Sequence, residues 1–285
     1  MPELAKRVFV ALIIAPIAVG AAWFGDAALA TLLSAVAGVA AWELCRMARG
    51  KGVNTLDGVV IAVAAAIPLL SHAIRLGVLR PAPVWFAALL LAIMTITLFR
   101  RGLDERPLLV AAVSLFIAMY TGGMLSFAYD LRYHNYAIGR TGQSLVLLFP
   151  VLLTWSSDVG AYFTGRLVGR TKLMPSVSPA KTVEGALGGV ALSVLIGFAY
   201  VRYLLVPGGQ LGLSPLGIVV FTIAIAVAAQ LGDLFESLLK REAEVKDSSG
   251  LLPGHGGFLD RIDSLLFVLP VAALLLSGLL IPAPR

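Results

Sequence analysis

Apolar residues gather into nine runs of about 16–23 residues, separated by short gaps rich in polar residues, glycine and proline. At 1.5 Å rise per residue, a helix of that length crosses the hydrocarbon core of a bilayer. The runs lie at about Val8–Phe24, Ala27–Leu44, Leu56–Ala73, Val84–Phe99, Leu108–Phe127, Ser144–Thr164, Val183–Leu205, Pro215–Leu234 and Ile262–Ile281. The pattern predicts an all-α, polytopic integral membrane protein with about nine transmembrane helices. Pro68 interrupts the third run, and the fourth is short. The first follows Lys6 and Arg7 and imitates a signal peptide, but it lacks a convincing small-x-small cleavage site. It is therefore expected to stay as an uncleaved first helix. In the seventh run Gly185 and Gly189, with Gly188 beside them, mark a face made for close helix packing.

Composition supports this class. The chain has 285 residues, 59% of them hydrophobic and 13% charged, whereas soluble domains are nearer half apolar and a quarter charged. One cysteine, Cys45, excludes a disulfide framework and a multi-cysteine metal site. The net charge of +6 does not form one basic patch, which argues against nucleic acid and for anionic headgroups and phosphorylated substrates. Of the 22 basic residues, sixteen fall at the N-terminus and in the gaps after runs two, four, six and eight, and six fall on the other side. That asymmetry places the N-terminus in the cytoplasm. The two most polar gaps, Gly165–Thr182 and Phe235–Arg261, then share the cytoplasmic side, where nucleotides are. Residues 1–140 read as a lipid-side scaffold with room for homodimer contacts. Residues 141–285 read as the catalytic region, in a multi-pass protein of the inner (plasma) membrane with its site facing the cytoplasm.

Four polar clusters exceed what a lipid-embedded bundle requires. Asp158 lies inside the sixth run, with Tyr162, Gly165 and Arg166 on the same helical face. In Ser178-Pro179-Ala180-Lys181-Thr182-Val183-Glu184-Gly185, Ser178 or Thr182 is placed to cap the next helix, and Lys181 beside that N-terminus makes an anion site. Asp233, Glu236, Ser237 and Lys240 form one stripe, followed by Arg241. Lys246-Asp247, Pro253-Gly254-His255-Gly256-Gly257 and Asp260-Arg261-Ile262-Asp263 complete the set. Asp260 and Asp263 share a face, and a simple N-cap accounts for only one of them. Carboxylates with lysine and arginine suit hard cations, Mg²⁺ above all, bridging to phosphates. Phosphoryl or nucleotidyl transfer needs such a centre. The single polar-context histidine, His255, argues against zinc.

These motifs are recognisable. Ser237-x-x-Lys240-Arg241-x₄-Lys246-Asp247-x₅-Pro253-x-His255-Gly256-Gly257-x-x-Asp260-Arg261-x-Asp263 resembles the signature of the phosphatidate cytidylyltransferase (CDP-diacylglycerol synthase) family. Asp158-x-x-Ala161-Tyr162-x-x-Gly165-Arg166 and Ser178-Pro179-x-Lys181-Thr182-x-Glu184-Gly185 also look like that family, apart from Ala180, where some relatives place lysine. The resemblance runs from Trp155 to the C-terminus. It implies a reaction of CTP with phosphatidic acid to give CDP-diacylglycerol and pyrophosphate, with Mg²⁺ and room for a second cation. It implies Asp233 and Asp260 at the metal centre, and Lys181, Lys246 and Arg261 on the triphosphate and lipid phosphate. Asp263 and Lys246 are expected with these aspartates among the catalytic groups, and Asp158 and Glu236 as further metal ligands. Ser178, Thr182, Arg166, Lys240, Arg241 and His255 are expected to bind substrate. Two alternatives stay open. One is a related CTP-dependent polyprenol or phytol kinase or archaeal-lipid cytidylyltransferase. The other is a cation-coupled transporter, which the concentration of polar residues in the last half disfavours.

Overall fold

The computed structural model describes residues 3–80, 83–137 and 139–283, with side chains from residue 12 onward. Lys6, Arg7 and Arg285, which enter the charge count, therefore have side chains outside the described residues. The chain folds as two compact units. Unit 1 comprises Met1–Ala21, Asp26–Ser126 and Glu242–Arg261; unit 2 comprises Ala22–Gly25, Phe127–Arg241 and Ile262–Arg285. These units follow different lines from a division at residue 140, because the polar segment Glu242–Arg261 packs with helices from the first part of the chain.

Helices coincide with the apolar runs. They are α1 Glu3–Phe24, α2 Asp26–Gly50, α3 Asp57–Arg75, α4 Val84–Arg100, α5 Pro107–Ala118, α6 Met124–Arg132, α7 Gly139–Val168, α8 Val183–Tyr200, α9 Val206–Gly209, α10 Pro215–Glu242 and α11 Leu259–Leu279. A π-turn at Met119–Gly123 joins α5 to α6, and another at Val201–Leu205 joins α8 to α9. Among the described residues, seven helical segments are long and apolar enough to cross a membrane, and Leu12–Phe24 and Val84–Arg100 are shorter apolar helices. Together they account for all nine runs. The chain is a multi-pass, all-α membrane protein.

Within unit 1, α2 packs along α3, and the Ser34 hydroxyl donates to Ala65 O at 2.6 Å. The Ser114 hydroxyl of α5 accepts from Leu56 N at 3.1 Å where α3 begins. Lys51, just past α2, pairs with Glu244 at 2.5 Å and holds that exposed carboxyl below its usual range. This ties the start of the polar segment to the end of α2.

Within unit 2, α7 and α8 run in close contact, as their glycines predict. A β-carbon on Gly189 would lie 2.6 Å from Ser157 O and 3.3 Å from the Ala161 β-carbon. Phe149 of α7 stacks on Tyr200 and on Phe221 of α10, with ring centroids 4.7 and 5.0 Å away. The gap Gly165–Thr182 holds more order than a loop. α7 continues to Val168, and β1 Lys172–Met174 pairs antiparallel with β2 Ser178–Thr182, Lys172 opposite Thr182 and Met174 opposite Ser178. A second small ladder joins β3 Leu211–Gly212 to β4 Ile281–Pro282.

Gly189→Leu forces a branched side chain into the α7–α8 contact, and overpacking of this kind costs about 1–3 kcal/mol. We expect a lower unfolding midpoint in detergent without loss of helix content, measured by thermal melting followed by circular dichroism.

Candidate active site

In unit 2 three of the motif acids come within electrostatic range of one another. Gly232 brings α10 and α11 together: a β-carbon there would lie 2.8 Å from Asp263 O and 2.9 Å from the Ser264 α-carbon. The next residue, Asp233, is half-buried, and its carboxylate lies in the electrostatic field of both Asp158 on α7 and Asp263 on α11. Asp158 and Asp263 also act on each other. Two lysines answer these three charges. Lys181, at the end of β2, places Nζ 2.5 Å from Asp233 Oδ2 and is within range of Asp158. Lys240 is within range of Asp263 and pairs with Glu236 one turn back on α10. Glu236 is fully buried and engaged with that lysine. The Ser237 hydroxyl reaches Asp233 Oδ1 at 3.4 Å.

The other expected residues of unit 2 surround this cluster in different ways. Thr182 is the N-cap of α8, its Oγ1 accepting from Gly185 N at 3.1 Å. Val183 N donates to Thr171 O, and the Glu184 carboxylate accepts from Arg170 N and Thr171 N at 3.0 and 3.1 Å. At this helix end the backbone donors of Val183 and Gly185 are committed internally and an acid sits beside them, which leaves the Lys181 ammonium as the cation of the expected anion site. Ser178 is in the hairpin, opposite Met174. Arg166 is exposed and donates to the Tyr162 hydroxyl at 2.9 Å. Arg241 donates to Val177 O at 3.3 Å, linking the end of α10 to the hairpin turn.

In unit 1 the second half of the signature forms a different arrangement. The Asp260 Oδ2 accepts from Gly257 N at 2.7 Å, Ser248 N at 3.0 Å and the Ser248 hydroxyl at 2.9 Å. Bonding back to the residue three before it, Asp260 acts like the acid of a capping box at the start of α11. Beside it lies a residue that sequence reasoning missed, Glu43 of α2. Glu43 is fully buried, and its carboxylate accepts from the Ser249 hydroxyl at 2.5 Å, Leu259 N at 2.8 Å, Phe258 N at 3.0 Å and the Ser248 hydroxyl at 3.0 Å. The signal was present as an acid inside the second apolar run, but its partners lie more than two hundred positions away. The glycines of the motif follow from these contacts. Gly256 has φ +78°, and a β-carbon on it would lie 2.6 Å from Asp260 Oδ2. A β-carbon on Gly257 would collide with both the Ser248 hydroxyl and the Glu43 carboxylate.

Lys246 and Arg261 are exposed. The ring of His255 is half-buried, with its Nδ1 enclosed and lacking a hydrogen-bond partner among the described residues. Among the described residues, no three His, Cys, Asp or Glu side chains converge to chelate an ion by themselves. The carboxylates of Asp158, Asp233 and Asp263 are hard oxygen donors of the kind that Mg²⁺ takes.

The chain is similar to known proteins along its length. Residues 5–279 match the Cytidylyltransferase family. A protein from Bacillus subtilis (strain 168) named phosphatidate cytidylyltransferase is 32% identical over 281 residues, covering 97% of this chain and 99% of that protein. Proteins of the same name from Brucella suis biovar 1 and Haemophilus influenzae are 33% and 37% identical. The first alignment covers 100% of this chain and 96% of the relative; the second covers 65% and 63%.

Lys181→Met removes a cation from two neighbouring carboxylates, Asp233 and Asp158. Because the pair with Asp233 is partly exposed, we expect a loss of about 1 kcal/mol, a fall of roughly 2–4 °C in the unfolding midpoint. Lys181→Arg should recover most of it, as read by thermal unfolding in detergent.

Proposed function

The chain belongs to the cytidylyltransferase family, and from that premise we propose that it transfers CMP from CTP to phosphatidate, releasing pyrophosphate and leaving CDP-diacylglycerol in the membrane. The observation that carries this reading is the cluster of Asp158, Asp233 and Asp263 with Lys181. Three carboxylates inside a helical bundle, with fewer cations than charges, form a site completed by a bound cation and by phosphates that bring their own counter-ions. A purely structural cluster would neutralise itself.

The reaction joins a phosphate oxygen of phosphatidate to the α-phosphorus of CTP and breaks the bond from that phosphorus to the β-phosphate. The attacking oxygen is already anionic, so no general base is needed, which fits a site built from acids and lysines around no paired histidine. Catalysis is then a matter of orientation and charge neutralisation. Asp233, within reach of Asp158 and Asp263, would hold Mg²⁺; the motif adds Asp260 to that assignment. When bound, the ion supplies positive charge to the phosphate oxygens. Lys181, paired with Asp233 here, would serve the triphosphate. Lys246 and Arg261, both exposed, are assigned to phosphate, and His255 Nδ1 to a phosphate oxygen. The N-terminus and both polar segments lie on the cytoplasmic side of the inner membrane, facing the CTP pool, which the distribution of basic residues supports.

Protein purified in detergent and supplied with phosphatidate, CTP and Mg²⁺ should release pyrophosphate and form CDP-lipid, and EDTA should stop it. Asp233→Asn should lower kcat at least about 100-fold with the unfolding midpoint retained. Product from a polyprenol acceptor and none from phosphatidate would overturn the assignment in favour of a related kinase. His255→Ala should raise the KM for CTP, and full activity with unchanged CTP affinity would remove His255 from the site.

A further inference from the structure

The Glu43 carboxylate does more than fill a helix packing position. A buried carboxylate without donors is costly, and among the described residues Glu43 takes its donors from the 248–259 segment. It takes the N–H groups of Phe258 and Leu259, the first donors of α11, and the hydroxyls of Ser248 and Ser249. The Ser248 hydroxyl carries a single proton and sits between Glu43 Oε2 and Asp260 Oδ2, at 3.0 and 2.9 Å. Gly257 lies against both, its N–H on Asp260 and its α-carbon hard by Glu43. A change at Glu43 therefore reaches Asp260 through two routes, one serine and one turn.

We propose that Glu43 is a positioning residue for the transfer reaction. Its carboxylate sets the start of α11, and with it the direction of Asp260 and of the adjacent Arg261, without touching substrate. The inference rests on the reading of the chain as a CMP transferase, but part of its test does not.

Three variants decide it: Glu43→Gln, which keeps the shape and places an amide N–H₂ against backbone N–H groups; Glu43→Asp, which keeps the charge on a shorter stem; and Ser249→Ala, which removes one of the four donors. Initial rates at varied CTP and phosphatidate should show kcat lowered at least tenfold in Glu43→Gln, with KM for CTP within about twofold of the parent. Glu43→Asp should fall between the parent and Glu43→Gln, and Ser249→Ala should lose a few-fold. The Glu43→Gln/Ser249→Ala pair should be no worse than Glu43→Gln alone, because Ser249 acts through the same carboxylate. Amide exchange at Gly257, Phe258 and Leu259 should accelerate in Glu43→Gln and stay unchanged in Asp233→Asn. A variant that melts earlier yet turns over at the parental kcat would reduce Glu43 to a structural role and overturn the proposal. If Glu43→Gln does not fold, the same comparison of kcat with melting is made in whichever of the other two does. An inactive parent protein would sink the transferase reading alone, and the exchange at residues 257–259 would still test what Glu43 holds.

Discussion

The lipid-embedded part of this chain depends on how a carboxylate is accommodated away from water. An ionised acid placed in an apolar bundle must find donors or cations, and each solution leaves a different mark on the structure. Glu43 finds donors. Four of them converge from a segment far along the chain, so the acid and the segment order each other. Because these donors include the first N–H groups of α11, the acid also serves as the anionic cap that a helix N-terminus favours. Gly256 and Gly257, which follow His255, are consequences of this approach: side chains there would occupy the space of Asp260, Ser248 or Glu43.

The acids of unit 2 show the opposite solution. Asp158, Asp233 and Asp263 lie within one another's fields, and the lysines that reach them are shared among several negative groups, Lys240 with Glu236 and Lys181 with Asp233 and Asp158. Donor-saturated acids build the frame, and acids left short of cations are the ones suited to a ligand. This distinction, more than the mere presence of acids in apolar runs, separates an enzyme from a scaffold. It also bears against a transporter, for which ion-binding acids with broken helices in paired halves would be expected. α7 and α10 are unbroken here.

Local signals carried most of the fold. Runs of apolar residues fix where helices lie, and the glycines of α8 fix its close face, since both are properties of a few neighbouring positions. The stripe Asp233, Glu236, Ser237 and Lys240 was legible for the same reason: helical period alone puts those side chains on one face. What escaped was non-local. Glu43 read as an isolated acid because its partners are set by tertiary packing. The β1–β2 hairpin escaped because strands of three and five residues leave little periodicity to detect. The α8 end was only partly legible for a related reason. Its sequence offers a lysine at a helix N-terminus, but the N–H groups there are taken by Thr171 O and the Thr182 hydroxyl, which sequence spacing does not reveal.

Asp260 and Asp263 show why a motif should be divided by what each atom touches. They stand one turn apart on α11, and from spacing alone they look like a pair. The Oδ2 of Asp260 is held by two backbone N–H groups and a serine hydroxyl, whereas Asp263 bonds to the next backbone N–H and faces Asp233 and Asp158. A substitution at Asp260 therefore disturbs the start of α11 as well as any cation it meets, and a lost activity there has two causes mixed together. A substitution at Asp233 removes charge from the cluster while leaving the capped turn intact. The cleaner evidence about chemistry thus comes from α10, and the cleaner evidence about geometry comes from Glu43, which changes the turn without removing a single group assigned to substrate.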